Sequence, residues 1–387
     1  MKILQASNLF HPCFDAGVSG VVYEISKELK AKGHEVTVYS TDGCTARLNV
    51  KTNKMVFVDG IEVYYFKNLS NTLNTKLNLA TPYYLFRIIK DIKNFDIIHI
   101  HEHRTFFAVF LHHYAMKYNV PYIIQSHGSV LPFLHKITYK KIFDKLWGYK
   151  ILNDASQVIA LTQSESEQYQ KMGVPLSKIK IIPNGINEKE DENSPKKNKF
   201  REKNHIKTGE KIVLFLGRLH ESKGIEILIK AFLEVTSEYK PIKLAIVGPD
   251  NGFLDSLEIL VKNLDLEDKV IFTGPLYGND KIEAYIDADV FVTPRYTGFP
   301  ITFLESSAYG LPIITTNRGD ELDWINENVG YVTDYDEHQL AQAILNIILN
   351  DSLRNKFGDN GKNLIKSNFN WQNIVNKIEE VYKEVKG

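Results

Sequence analysis

Along most of the chain, short unbroken apolar runs alternate with longer stretches whose apolar residues recur every three or four positions. In the first half the apolar runs fall at residues 3–6, 36–39, 97–100, 122–125, 158–161 and 180–182. Runs of that length, rich in β-branched residues, predict strands buried mostly on both faces. Between them, residues 18–32, 82–93, 105–118, 136–153 and 164–172 carry helical spacing. One hairpin interrupts the alternation: 55–58 and 61–66 flank Asp59-Gly60, a strong two-residue turn signal. Strand-helix alternation of this kind predicts a parallel sheet covered by helices on both sides.

Residues 187–210 break the rhythm. They are rich in Lys, Glu and Asn, contain Pro195 and show no apolar period, as expected of a linker or of a loop that begins a second domain. The alternation then restarts, with strands predicted at 212–216, 244–247, 270–272, 290–292 and 313–315 and helices at 224–238, 252–264, 280–287 and 301–309. Helices at 337–349 and 353–367 precede a last one at 371–385. The predicted fold is α/β, two Rossmann-like doubly wound domains facing across a cleft. The N-terminal domain is placed at 1–187 and the C-terminal one at 188–368, with 369–387 as a terminal helix.

Length agrees, since 387 residues are too many for one ordinary core. Lys+Arg and Asp+Glu balance at 47 each, which argues against nucleic acid as a partner. The balance hides an asymmetry: residues 1–187 carry 22 basic against 14 acidic side chains, and the remainder 25 against 33. A basic N-terminal half suits anionic lipid or a phosphorylated acceptor, and equally a solvated surface. Residues 134–150 concentrate the pattern, with Lys136, Lys140, Lys141, Lys145 and Lys150 among Ile137, Phe143, Leu146 and Trp147, just after Phe133. This is a basic amphipathic segment that fits a membrane surface, though a sheet-covering helix would look much the same. Cys13 and Cys44 are the only cysteines, so neither a disulfide framework nor a Cys-based zinc site is expected. The opening residues break their apolar run too early for a signal peptide, and no apolar stretch is long enough to span a bilayer. The expected location is cytoplasmic, with room for a peripheral contact at the inner face of the cell membrane.

The candidate chemistry sits where strands give way to helices. After the strand ending at Leu216 come Gly217-Arg218-Leu219, and Lys223-Gly224 opens the next helix. Ligands of open α/β sheets bind outside the carboxyl ends of strands, where helix N-termini offer free N–H groups to anions. Arg218 adds a planar fork for phosphate oxygens and Lys223 a point charge. Gly17 lies in the first such loop, where a glycine lets backbone approach a phosphate or simply makes the turn. The dinucleotide pattern G-x-G-x-x-G is absent, which removes the main support for an NAD-dependent enzyme. Glu305 follows Gly298-Phe299-Pro300-Ile301 by one helical turn, placed to accept from the vicinal hydroxyls of a ribose or to favour the helix dipole. His127 closes a strand at the sheet's carboxyl edge, a position open to a ligand or a structural role. His99, His101 and His103 alternate on one face as metal ligands do, but no second ligand cluster accompanies them. Asp287-Ala288-Asp289 has the D-x-D form of some divalent-ion sites, yet it falls at a helix end, where Asp is common on solvation grounds. No metal site is expected.

Taken together, Ala16-Gly17, Gly33-His34-Glu35-Val36, Ser126-His127-Gly128, Ile182-Pro183-Asn184-Gly185-Ile186, Gly217-Arg218-Leu219 with Lys223-Gly224, Gly298-Phe299-Pro300 with Glu305, and Gly310-Leu311-Pro312 resemble the GT-B glycosyltransferases of family 4, almost end to end. The resemblance implies retaining, metal-independent transfer of a sugar from a nucleotide diphosphate, most often UDP, to a hydroxyl of a carbohydrate or lipid-linked acceptor, as in cell-surface glycan synthesis, with no cofactor. It implies that Arg218, Lys223 and Gly17 hold the diphosphate, that Glu305 holds the ribose, and that the final helix crosses back to the first domain. His127, Thr297, Gly298, Phe299, Pro300 and Ile301 would meet the donor sugar, His127 sharing the catalytic role with Arg218 and Lys223. Thr297 stands where the family has Glu, so its contact would be shorter and uncharged. Two rivals remain: a nucleotide-sugar 2-epimerase, for which no convincing carboxylate pair is found, and a non-catalytic nucleotide-sugar-binding partner.

Overall fold

The computed structural model describes the chain except residues 14–16, 45, 78–81, 83, 133–136, 188–194, 297 and 320–321, and the side chains of 75–77 and 88. The chain forms two units, the first made of Met1–Gly185 with Trp371–Gly387, the second of Ile186–Asn370.

The sheet of unit 1 contains β1 (Lys2–Ala6), β2 (Glu35–Thr41), β3 (Met55–Val58), β4 (Ile61–Phe66), β5 (Ile97–His101), β6 (Tyr122–Gln125), β7 (Gln157–Ala160) and β8 (Ile179–Ile181). Their order is β3-β4-β2-β1-β5-β6-β7-β8, parallel throughout except for the β3–β4 hairpin. Chain order reverses between β1 and β5, so the carboxyl ends of those strands form a switch point. Ile3, Leu4, Ile97, Ile98, Ile123 and Ile124 are wholly buried, as strands covered on both faces require. The final helix, Trp371–Lys386, belongs to this unit. It buries Trp371, Ile374, Val375, Ile378 and Tyr382, and is tied by Lys32–Glu379 at 3.0 Å and Lys180–Glu384 at 2.7 Å.

Unit 2 is built on β9 (Lys211–Leu216), β10 (Ile242–Val247), β11 (Val270–Gly274), β12 (Val290–Arg295), β13 (Ile313–Arg318) and β14 (Gly330–Thr333). The order is β11-β10-β9-β12-β13-β14, all parallel, which puts the switch point between β9 and β12. Phe215, Ile225, Leu228, Phe232 and Ile344 are fully buried where helices cover this sheet.

Several expectations need correction. Cys13 and Cys44 are joined as a disulfide, Cα atoms 5.9 Å apart. Parallel pairing of β1 with β2 runs their following segments side by side, a proximity that sequence separation conceals. The helix expected at 82–93 is only Leu85–Ile88 followed by a 3-10 turn, Ile89–Asn94. The one expected at 136–153 is interrupted by a π turn at Asp144–Gly148. That turn contains Asp144, buried and gripped by Arg104 through two 2.7 Å bonds. Residues 195–210 are not a free linker: a short helix, Lys199–Lys203, buries Phe200 in unit 2, and Ile206 is buried beside it. β14 and the helix Asn71–Leu77 are additions.

Candidate functional site

The loop after β9 is shaped by backbone. Gly217 N–H donates to Val247 O and Leu219 N–H to Pro249 O, both at 2.9 Å, pinning this loop to the one after β10. Gly248 makes the contact possible, because a Cβ there would lie 1.8 Å from the Gly217 carbonyl oxygen. Arg218 is thereby held out from the edge of the sheet, exposed. Lys223 ends the 3-10 turn Glu221–Lys223, and Gly224, at φ 69°, caps the helix Ile225–Glu238. A side chain on Gly224 would meet the Tyr335 hydroxyl at 2.9 Å, so only glycine turns the chain here. Burial pushes the Lys223 amine below its ordinary pKa, and the Arg218 charge adds to the effect. The structure thus brings the two predicted cations together at the β9/β12 switch point. Among the described residues no ion pair involves either of them. Two adjacent cations beside a helix N-terminus are an arrangement able to hold an anion.

The loop after β12 carries the next group. Thr297 lies outside the described residues. Gly298 has φ 68°, Phe299 is buried and packs its ring 5.8 Å from that of Phe369, Pro300 caps the helix Ile301–Ala308, and Ile301 begins it. Glu305, in the second turn, is not a loose carboxylate. It accepts from Lys281 Nζ at 2.5 Å and Tyr285 Oη at 2.9 Å, both on the helix Gly278–Asp287. These partners went unforeseen, although Lys and Tyr four residues apart share a helix face. An ionised carboxylate has about four lone-pair sites, so acceptor capacity remains. Asp287 and Asp289 prove to be anchors rather than solvated ends. Asp287 accepts the Asn198 and Arg201 N–H groups at 2.6 and 3.2 Å, and Asp289 accepts the Ile212 N–H at 2.9 Å and pairs with Lys211 at 3.2 Å.

In unit 1, Gly17 is exposed at the start of the helix Gly17–Ala31. His127 follows β6 with a left-handed φ of 53°. The loop that holds it is clamped by the buried Glu165, which accepts from Gly128 N–H at 2.6 Å and Leu161 N–H at 2.7 Å. The alternating histidines meet it here. His101 Nδ1 lies 2.9 Å from His127 Nε2, and His103 Nδ1 lies 3.0 Å from Ser126 Oγ. His101 Nδ1 and His127 Nε2 are thus engaged with one another. Among the described residues no group of three metal-binding side chains occurs. Burial keeps these imidazoles neutral, pushing His99 and His127 down to about 3 and His103 to about 4. Glu102, beside them at φ 69°, is raised by burial to about 7.

Known proteins resemble this chain in sequence and in fold. The sequence model of Glycosyltransferase Family 4 matches residues 16–190, and that of Glycosyl transferases group 1 matches 196–364. A glycosyltransferase of Methanocaldococcus jannaschii is 27% identical over 99% of this chain and 98% of its own length. The alpha-monoglucosyldiacylglycerol synthase of Streptococcus pneumoniae is 26% identical, over 86% of this chain and 75% of that protein. Among solved structures, Anabaena HepE in complex with UDP and glucose superposes with a TM-score of 0.76 at 18% identity, covering 99% of this chain and all of that one, a likeness of fold. With both halves matched in order and the two parallel-sheet units in place, the chain belongs to the family 4 glycosyltransferases, of GT-B fold.

Proposed function

We propose that the protein transfers a sugar, with retention, from a UDP-sugar to a hydroxyl of a carbohydrate or lipid-linked acceptor, as in cell-surface glycan synthesis at the cytoplasmic face of the membrane. The observation that carries the proposal is the pair Arg218 and Lys223, side by side at the β9/β12 switch point and with no ion pair among the described residues. Departure of the diphosphate leaves positive character on the anomeric carbon and negative charge on the phosphate. Two cations and a helix N-terminus stabilise that charge where it develops, the preorganised kind of term that dominates many rate enhancements. In this role they do what a divalent ion would do elsewhere. The leaving phosphate then accepts the proton of the acceptor hydroxyl on the same face, so no protein nucleophile is needed.

Glu305 is assigned the ribose, its second-turn position steadied by Lys281 and Tyr285. Gly17 is assigned to the diphosphate. His127 and residues 297–301 are assigned to the donor sugar. The choice of UDP draws on the fold likeness to a UDP complex, and the lipid-linked acceptor on similarity to a diacylglycerol glucosylation enzyme. The deciding experiment incubates the protein with a panel of UDP-hexoses and glycolipid or sugar acceptors, with and without EDTA. Transfer that persists in EDTA, with the donor's anomeric configuration in the product, supports the proposal. An epimerised donor without transfer, or loss of all activity in EDTA, refutes it.

A further inference from the structure

Outside the donor-phosphate site, the polar core of unit 1 contains an unbroken hydrogen-bonded path that leads to His127 and whose other members the transfer reaction above leaves unused. Gln5 on β1, His99 and His101 on β5, and Tyr382 on the terminal helix are each at most 1% exposed. His127 Nε2 lies 2.9 Å from His101 Nδ1, and His101 Nε2 lies 2.7 Å from Gln5 Oε1. Gln5 Nε2 donates to Tyr382 Oη at 3.0 Å, and Tyr382 Oη lies 2.8 Å from His99 Nδ1. His99 stacks on His101 with ring centroids 4.1 Å apart, closing the group.

Gln5 fixes the sense of this path. Its carbonyl oxygen can only accept, so the proton of His101 sits on Nε2. Its amide nitrogen donates to the Tyr382 oxygen, whose own hydrogen is then free for His99 Nδ1. Burial holds all three imidazoles neutral, so His101 Nδ1 is bare and accepts from His127 Nε2–H. His127 Nδ1 is therefore bare as well, and it has no hydrogen-bond partner among the described residues. The ring is aimed by this chain at one end and by the Glu165 clamp on its backbone at the other.

We propose that Gln5, His101 and Tyr382 are positioning residues that lock His127 as its Nε2–H tautomer, so that Nδ1 meets the substrate as an acceptor and its partner is a sugar hydroxyl, not a phosphate oxygen. A bare imidazole nitrogen facing phosphate would set lone pair against lone pair, whereas a hydroxyl supplies the missing hydrogen. The proposal rests on the reading that His127 touches the sugar substrate, and it adds which atom does so and what fixes it.

The test uses the full chain labelled with 15N-histidine, with His127 assigned by the signals lost in His127→Gln. Long-range proton–nitrogen correlation should place the proton on Nε2 in the wild type. It should show mixed tautomers in Gln5→Leu and a retained Nε2 proton in Gln5→Glu, whose carboxylate still accepts from His101. In transfer assays Gln5→Leu should lower kcat about tenfold, the effect of losing one oriented hydrogen bond. The Kd for UDP, which lacks the sugar, should not change. Gln5→Glu should recover most of the rate, and Tyr382→Phe, which keeps the ring packing, should fall between. A proton on Nδ1 in the wild type, or a tautomer indifferent to Gln5→Leu, overturns the proposal. So does an equal loss of UDP affinity and kcat in Tyr382→Phe, the mark of general support. A wild type that binds no UDP refutes the donor assignment instead, and the tautomer, read without substrate, still decides this inference.

Discussion

At the scale of single residues, Arg218 and Lys223 gain their meaning from what is missing around them. Like charges in one loop repel, and the buried stem of Lys223 already lowers its affinity for a proton. A folded chain keeps such a pair when an anion repays the repulsion. Arg218→Ala and Lys223→Ala should each lower transfer by about 10²–10³, the usual effect of removing one donor from a developing negative charge. The unfolding temperature should hardly move, since among the described residues no side-chain hydrogen bond or ion pair ties either cation to the fold. Arg218→Lys should restore little, because a point charge cannot grip two oxygens as a planar fork does. Near-normal turnover in either alanine variant would remove the electrostatic mechanism.

Glu305 makes a different residue-scale argument. Lys281 and Tyr285 orient its carboxylate and leave lone pairs over, so a ribose 2′- or 3′-hydroxyl can still donate to it. Wild-type protein should then prefer UDP to 2′-deoxy-UDP by about tenfold, the weight of a hydrogen bond to a charged group. In Glu305→Gln that preference should shrink toward unity. Calorimetric titration of the two nucleotides on both proteins checks this. A preference that survives the substitution assigns Glu305 to the helix pair alone.

At the scale of elements, the end of β5 and the loops beside it gather His99, His101, His103, Glu102 and His127. Each imidazole has a folded pKa below its ordinary 6.5, so its stabilising share is whole above about that pH and drains away as pH falls below it. Glu102 runs the other way: raised to about 7, it stabilises fully below 4.5 and loses that share as pH rises through 7. Four imidazoles outweigh one carboxyl. Unit 1 should therefore melt at markedly lower temperature at pH 5 than at pH 7.5. Unit 2 should change less, because its histidines, His205, His220 and His338, lie outside its core. Scanning calorimetry across that range reads both, and a midpoint indifferent to pH would contradict it. The helix Ile137–Phe143 and the turns after it pose a second question at this scale. Ile137, Tyr139, Ile142, Leu146 and Trp147 are exposed beside Lys141 and Lys145, an arrangement that favours an anionic bilayer. Vesicles containing phosphatidylglycerol should sediment the protein, and Leu146→Glu with Trp147→Glu should release it; sedimentation unchanged by the double variant excludes this face.

These elements also show what the amino-acid sequence reveals and what it hides. Strand periodicity located thirteen of the fourteen strands among the described residues, because buried parallel strands announce themselves as apolar runs. The four-residue β14 opens on Gly330 and is half exposed, so it lacked that signal. Arg218, Lys223 and the Gly298 loop were legible because local order, a strand, a glycine, then a helix, positions them. The partners of Glu305, the Cys13–Cys44 bond and the path from His127 to Tyr382 were not, since each joins residues that only folding brings together. Tyr382 is 377 positions from the Gln5 it touches. Alternating histidines suggested a shared face, but not that the rings would spend their nitrogens on one another.

For the whole molecule, the decisive fact is that unit 1 is made of two chain segments and unit 2 of one. The chain leaves unit 1 after Gly185 and returns to it at Trp371. Unit 2 encloses its own sheet, both core faces and the cation pair, so residues 186–370 alone should fold cooperatively and bind UDP. Residues 1–185 alone would expose the surface that Trp371, Ile374, Val375, Ile378 and Tyr382 cover. Uncovering apolar side chains costs about 1.5–3 kcal/mol each, and five of them together rival the 5–15 kcal/mol that holds a typical domain. The loss of Gln5 and His99 contacts to the Tyr382 hydroxyl adds buried polar groups without partners. The 1–185 fragment should therefore lack a cooperative melting transition, and a peptide of residues 371–387 added in excess should restore one. Cooperative melting of 1–185 unaided, at the temperature seen in the intact chain, would show that the returning helix is an ornament on unit 1 and not part of its core.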